Sequence, residues 1–219
     1  MFRLVPRLQI ATQNPSLLQR TGGNRTSSYK LIKPPYPLRF REMDRAKARE
    51  YFSWFQNQIS TRCQVLTEYV HTFIDYGNWE SNFTVNSLDL LGEWLCKHVT
   101  TRKRSQEEMG SIYSYSPEWF KSIQVPDYDL SISSASLCID IGMYLGQVMI
   151  LTISGLHWKL ITKPIRSIDF QQPVLIGQGK VAFNPVRLVM VYAYGCIDGT
   201  RGSEGLREIY EIWSNLLRE

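Results

Sequence analysis

LSISSASLCIDIGMYLGQVMILTISGLHW, residues Leu130 to Trp158, decides how this chain folds. From Ala135 to Leu151 nearly every residue is apolar or small, and the polar exceptions are Ser136, Asp140 and Gln147. With Ser133 and Tyr144 these recur at spacings of three and four, so on a helix they form one narrow stripe. Leu137, Ile139, Ile141, Met143, Leu145, Val148, Met149 and Ile150 fill the rest of the circumference. A helix with so thin a polar line must be covered on most sides. Ser133 or Ser134 can cap it, because a serine oxygen accepts from a free amide of the first turn. Gly142 and Gly146 let another element approach closely, which offsets the roughly 1 kcal/mol of helix propensity each costs relative to Ala. The 17 residues from Leu137 to Ile153 fall short of the roughly 20 that a membrane span needs. A carboxylate at Asp140 would also be costly in mid-bilayer. The stretch therefore predicts a buried core helix closed by Gly155.

Outward from that helix on the C-terminal side, His157–Thr162 alternates as a strand does. Pro173–Ile176 and Lys180–Phe183 predict two more strands, with Gly177-Gln178-Gly179 supplying the turn between them. Asn184-Pro185 is an N-cap followed by proline at the first helical position, opening a helix broken at Gly199 to Gly202. A final amphipathic helix, Ser203 to Leu217, puts Leu206, Ile209, Tyr210, Trp213 and Leu217 on one face.

On the N-terminal side, Pro117 opens a short helix (PEWFKSI) and Val125–Tyr128 is a turn. TTRKRSQEEMG, residues 100–110, predicts a solvated surface loop. SLDLLGEWLCKHV, capped by Asn86 or Ser87, is a shorter amphipathic helix. Asp44 caps a longer one whose Ala46, Tyr51, Trp54, Phe55, Ile59, Val65, Leu66, Tyr69, Val70 and Phe73 keep helical spacing. It is one helix, or two joined near Ser60. Three prolines make KLIKPPYPLRF, residues 30–40, an extended strap lying on the fold. Residues 1–28 have no sustained period and predict a disordered basic tail, with a faint likeness to a mitochondrial transit peptide. The fold class expected is α+β and mainly helical, with about three antiparallel C-terminal strands packed on the long buried helix. One domain spans 29–219, with a helical half at 41–128 and a helix–sheet–helix half at 130–219.

The formal charge of +5 misleads, because eight cations and no acid precede Glu42. From Glu42 onward 17 Lys and Arg face 20 Asp and Glu. A mildly acidic body does not predict nucleic-acid binding by the folded domain. Four cysteines, 63, 96, 138 and 196, lack CxxC spacing and are expected to be free thiols in a reducing cytoplasm. Cys96 and His98 have no second ligand pair, so no zinc site is expected. His71, His98 and His157 fit no metal-binding motif. There is no GxSxG elbow. GQGK, 177–180, lacks the GxxxxGK[ST] spacing and a following helix, so it is a hairpin turn rather than a phosphate loop. No cofactor, metal or catalytic residue is assigned.

KPPYPLRF, MDRAKAREYFSWFQNQISTR, SLDLLGEWL, GLHWKL, QPVLIG, NPVRLVMVYAYG and LREIYEIW, in that order, resemble a group of uncharacterised bacterial proteins, mostly Gram-positive, over Tyr29 to Trp213. The resemblance implies a cytoplasmic bacterial protein. The helix–turn–Trp-strand layout of the C-terminal half also looks like small α+β domains among bacterial toxin-immunity proteins, which implies a protein partner, a toxin.

Asp140 is the ionisable residue to follow, since a carboxylate on a buried helix needs partners or its pKa rises. It is expected to pair with Arg187 or to hydrogen-bond Tyr144. The alternative is a pocket carboxylate with Tyr144, Gln147 and Trp158 nearby, as in a small-molecule-binding protein or enzyme. Absent catalytic motifs, the acidic body and the layout likeness favour a non-enzymatic protein-interaction module of immunity type, with no membrane partner. The same five residues, Asp140, Tyr144, Gln147, Trp158 and Arg187, are its candidate contacts. A third reading, nucleic-acid binding, would use only the basic tail.

Overall fold

A computed structural model describes residues 28–114, 124–179 and 181–218. The tail expected at 1–28 lies outside these apart from Ser28, as does the short helix expected at PEWFKSI. In chain order the elements are α1 (Arg45–Val70), α2 (Ser87–His98), β1 (Thr101–Lys103), α3 (Gln106–Ser114), β2 (Tyr128–Leu130), α4 (Ile132–Thr152), β3 (His157–Leu160), β4 (Pro173–Ile176), β5 (Ala182–Phe183), α5 (Pro185–Ile197) and α6 (Gly205–Arg218).

The aromatic-striped segment forms one uninterrupted helix, α1, with Asp44 accepting from the Lys47 amide at 2.8 Å. Its buried face is Ala48, Tyr51, Phe55, Ile59, Arg62, Cys63, Leu66 and Val70. The strap lies on the fold as its composition demands, with Tyr29, Ile32 and Leu38 buried. The central helix α4 begins earlier than its serines predict, because Ser131 rather than Ser133 or Ser134 accepts the capping bond. By length and composition α4 could cross a membrane. In the fold it is wrapped on nearly every side, and even Asp140 is 0% exposed.

Its two glycines do what their spacing implies. A Cβ at Gly142 would lie 2.6 Å from the Val186 Cα, and one at Gly146 would lie 2.3 Å from the Trp158 ring. These gaps admit the start of α5 on one side and β3 on the other. β3, β4 and β5 form an antiparallel sheet in that order, with Trp158 opposite Leu175 and Leu175 opposite Phe183. Asn184 caps α5 through the Arg187 amide at 3.0 Å, with Pro185 in the first turn. One hydrophobic cluster runs from Tyr29 to Leu217 and joins both halves.

Two further expectations fail. Residues 100–110 are not a loop. Thr101–Lys103 pairs antiparallel with Tyr128–Leu130, and Gln106–Ser114 is helical. The polar TRK strand is held by charge, since Arg102 and Arg104 reach Asp129 on its partner at 3.6 and 3.7 Å. Nor are all four cysteines free. Cys96 of α2 is disulfide-bonded to Cys196 of α5 with Cα atoms 5.1 Å apart, while Cys63 and Cys138 remain free and buried. The helices bring together two thiols 100 residues apart in sequence. A stable disulfide suits an oxidising environment, so cysteine usage no longer argues for a reducing cytoplasm.

Candidate functional site

The polar stripe of α4 is a docking seam. Ser136 accepts from the Ile32 amide of the strap at 2.8 Å. One turn on, Asp140 takes both prongs of Arg62 from α1, Nε to Oδ1 at 2.8 Å and Nη2 to Oδ2 at 2.6 Å. The Tyr29 hydroxyl donates to the same carboxylate, and Arg62 Nη2 also reaches the Lys30 carbonyl at 2.7 Å. A further turn on, the Tyr144 hydroxyl donates to Ser87 Oγ at 2.7 Å and accepts from the Phe83 amide at 3.1 Å. Each polar residue thus fastens a different part of the N-terminal half: the strap, α1, and the segment entering α2.

Burial pushes the Asp140 carboxyl above the usual carboxylate range, and Arg62 and Tyr29 draw it part of the way back. Burial likewise raises the Tyr29 hydroxyl. A charged pair this deep is held by its geometry, and with both oxygens engaged it has nothing to offer a ligand.

The five residues chosen from sequence are therefore not brought to one pocket. Arg187 pairs with Asp169, not Asp140, at 2.9 Å and 3.1 Å, and Asn184 bonds the same carboxylate at 2.9 Å. The physical reason is position: Arg187 lies in the first turn of α5, next to the loop that carries Asp169, whereas Asp140 faces α1. Gln147 is half-buried and Trp158 is buried against Phe55, ring centroids 5.0 Å apart. The Trp158 indole N–H has no acceptor among the described residues.

A different place presents chemistry to solvent. Arg45, Ala48 and Arg49 from the start of α1 meet Leu160, Thr162, Lys163 and Gln171 around a cleft of about 80 Å³. Ala48, 1% exposed, leaves the dent, and Gln171, 2% exposed, holds its floor. The Gln171 amide donates to the Phe40 and Met43 carbonyls at 2.5 and 2.9 Å, and its backbone sits at φ 60°. A non-glycine in that region persists only where its surroundings over-determine it. Beside the cleft, Arg41 donates to the Ile165 and Ser167 carbonyls at 3.2 and 3.1 Å. That brace supports a ridge, residues 163–168, on which Ile165 and Ile168 stand 67% and 51% exposed.

Sequence reading missed this site. Its only local signals were the i,i+4 spacing of Arg45 and Arg49 and the alternation of cations and isoleucines in KPIRSI. The convergence of three cations appears only when α1 and the ridge are brought together. Among the described residues no group of His, Cys, Asp and Glu is placed to hold a metal ion. No protein-family model, curated protein or solved structure matches the chain.

Proposed function

We propose that this protein works by binding another protein rather than by catalysis, in the manner of an immunity protein that masks a toxin. The observation that supports the reading is the ridge: two exposed isoleucines, Ile165 and Ile168, interleaved with Lys163 and Arg166 and braced from below by Arg41. An apolar centre with a charged margin is the anatomy of a protein interface. A rigid support reduces the ordering cost of binding. The enzyme alternative rested on Asp140 and Tyr144, and both side chains are engaged by partners inside the fold.

The test is affinity capture from source-cell lysate with wild type and an Ile165→Ser/Ile168→Ser variant side by side. A stoichiometric protein captured by wild type and lost by the variant is the expected outcome. Equal capture by both removes the ridge from the reading. For the immunity form, co-expression with the captured protein must relieve growth inhibition by it.

A further inference from the structure

Resting on that reading, we infer that the cleft lined by Arg45, Arg49, Thr162 and Lys163 is the anion-binding half of the interface, taking side-chain carboxylates of an acidic segment of the partner. The first ground is local charge. Three cations converge on one small concavity, and like charges a turn apart on a helix repel. The acids that should balance them are committed elsewhere. Asp44 caps α1 and faces Lys47 at 3.7 Å. Glu42 pairs with Arg39 at 3.4 Å, and Glu50 accepts from the Tyr36 hydroxyl. No side-chain hydrogen bond or ion pair joins Arg45, Arg49 or Lys163 to a described residue, while Arg62 farther along the same helix is fully engaged.

The second ground is shape. About 80 Å³ suits one or two carboxylate groups and not a small-molecule substrate, whose pockets run from roughly 300 Å³ upward. Guanidinium groups match carboxylates in bidentate fashion, and two of them, with the Thr162 hydroxyl, offer more donors than one lysine. The third ground is the neighbour. The isoleucine ridge adjoins the cleft through Lys163, so a segment with acidic and apolar residues meets both. A single nucleic-acid strand would look for aromatic stacking platforms along a continuous cationic groove, and none of the side chains lining this short cleft is aromatic.

The test uses the full chain and a charge-neutral variant, Arg45→Gln/Arg49→Gln/Lys163→Gln. These side chains are exposed and unpaired, so the variant's melting temperature should match wild type. The probe is a fluorescent peptide of alternating glutamate and leucine, read by anisotropy at low and at physiological salt, beside its glutamine–leucine counterpart. Expected is binding of the glutamate peptide weakened at least tenfold in the variant and by added salt, with the glutamine peptide binding weakly to both. Equal affinity of wild type and variant for the glutamate peptide overturns the inference. So does saturation of the cleft by inorganic phosphate or a single-stranded oligonucleotide where the glutamate peptide fails. If the peptide fails while lysate capture still depends on Ile165 and Ile168, the carboxylate site is wrong and the interaction reading stands. If capture is also insensitive to the isoleucines, both fall.

Discussion

One helix carries two sets of arginines with opposite fates. Arg62, deep in α1, is 4% exposed and spends its donors on Asp140 and the Lys30 carbonyl. Arg45 and Arg49, at the solvent-facing start of α1, have no such partners. What separates them is what each faces. Arg62 looks into the seam along α4, where an unpaired charge is intolerable. The other two look over a dent floored by Ala48 and Gln171, where water satisfies them until something better arrives. Burial turns a charge into part of the framework; exposure beside a rigid concavity leaves it available. Available chemistry therefore sits where charges are unspent, at the start of α1, and not along the polar stripe of α4.

The sharpest way to break this contrast is to remove one member of each set. Arg62→Ala leaves the Asp140 carboxylate buried and unpaired, and should cost about 3–5 kcal/mol. Arg49→Gln should stay within about 0.5 kcal/mol of wild type. Urea titrations of both decide it. Replacing the pair together, Arg62→Met with Asp140→Leu, should recover most of the loss, because two buried charges go at once. If Arg62→Ala is as mild as Arg49→Gln, the seam does not carry the fold and Asp140 returns as a candidate for function.

How far the sequence reached follows the same division. The polar stripe of α4 was visible in its spacing, and so were the two glycines that admit Val186 and Trp158. Caps at Asp44 and Asn184 and the β3–β4–β5 hairpins were legible because each depends on residues a few positions apart. Asp140's partner was not, since Arg62 lies 78 residues away and periodicity says which face is polar, never what meets it. The partner expected for it, Arg187, is taken by Asp169, a carboxylate in the loop between β3 and β4 that packs beside the first turn of α5. The strand at Thr101–Lys103 escaped because its polar TRK sequence resembles solvent-exposed chain until Asp129 is placed opposite. The cleft escaped for the reason Asp140's partner did: its cations come from two segments more than 100 residues apart.

The cysteines repeat the contrast. Cys63 and Cys138 are free but buried. Burial pushes the Cys63 thiol up to about 12 and raises that of Cys138, so neither is a ready nucleophile. Cys96 and Cys196 are bonded to each other. Native protein should therefore show no thiol reactive to an aromatic disulfide reagent, and unfolded, unreduced protein should show two. Closing a loop of this length is worth up to about 4.7 kcal/mol in chain-entropy terms, with about 2–4 kcal/mol the usual yield. Cys96→Ser/Cys196→Ser should lower stability by that smaller amount. Four thiols on unfolding would remove the bridge and restore the reducing setting that cysteine spacing first suggested.

Between the buried pair and the open cleft stands Glu108 with Arg102, side chains 24% and 30% exposed. Two guanidinium bonds, at 2.9 and 2.7 Å, and the Ser105 amide hold this carboxyl from its ordinary 4.5 down to about 2. A carboxyl depressed by folding stabilises fully above its unfolded value, and the contribution disappears as pH falls through the folded one. Stability should thus decline between about pH 4.5 and 2 from this pair, by an amount on the order of 1 kcal/mol given its exposure. Arg102→Gln should flatten that part of the acid profile by lowering stability at neutral pH by about the same 1 kcal/mol, with little change below about pH 2. An unchanged profile would place Glu108 with the solvated charges of the cleft, and would move the boundary between framework and available charge deeper into the molecule than a quarter-exposed side chain.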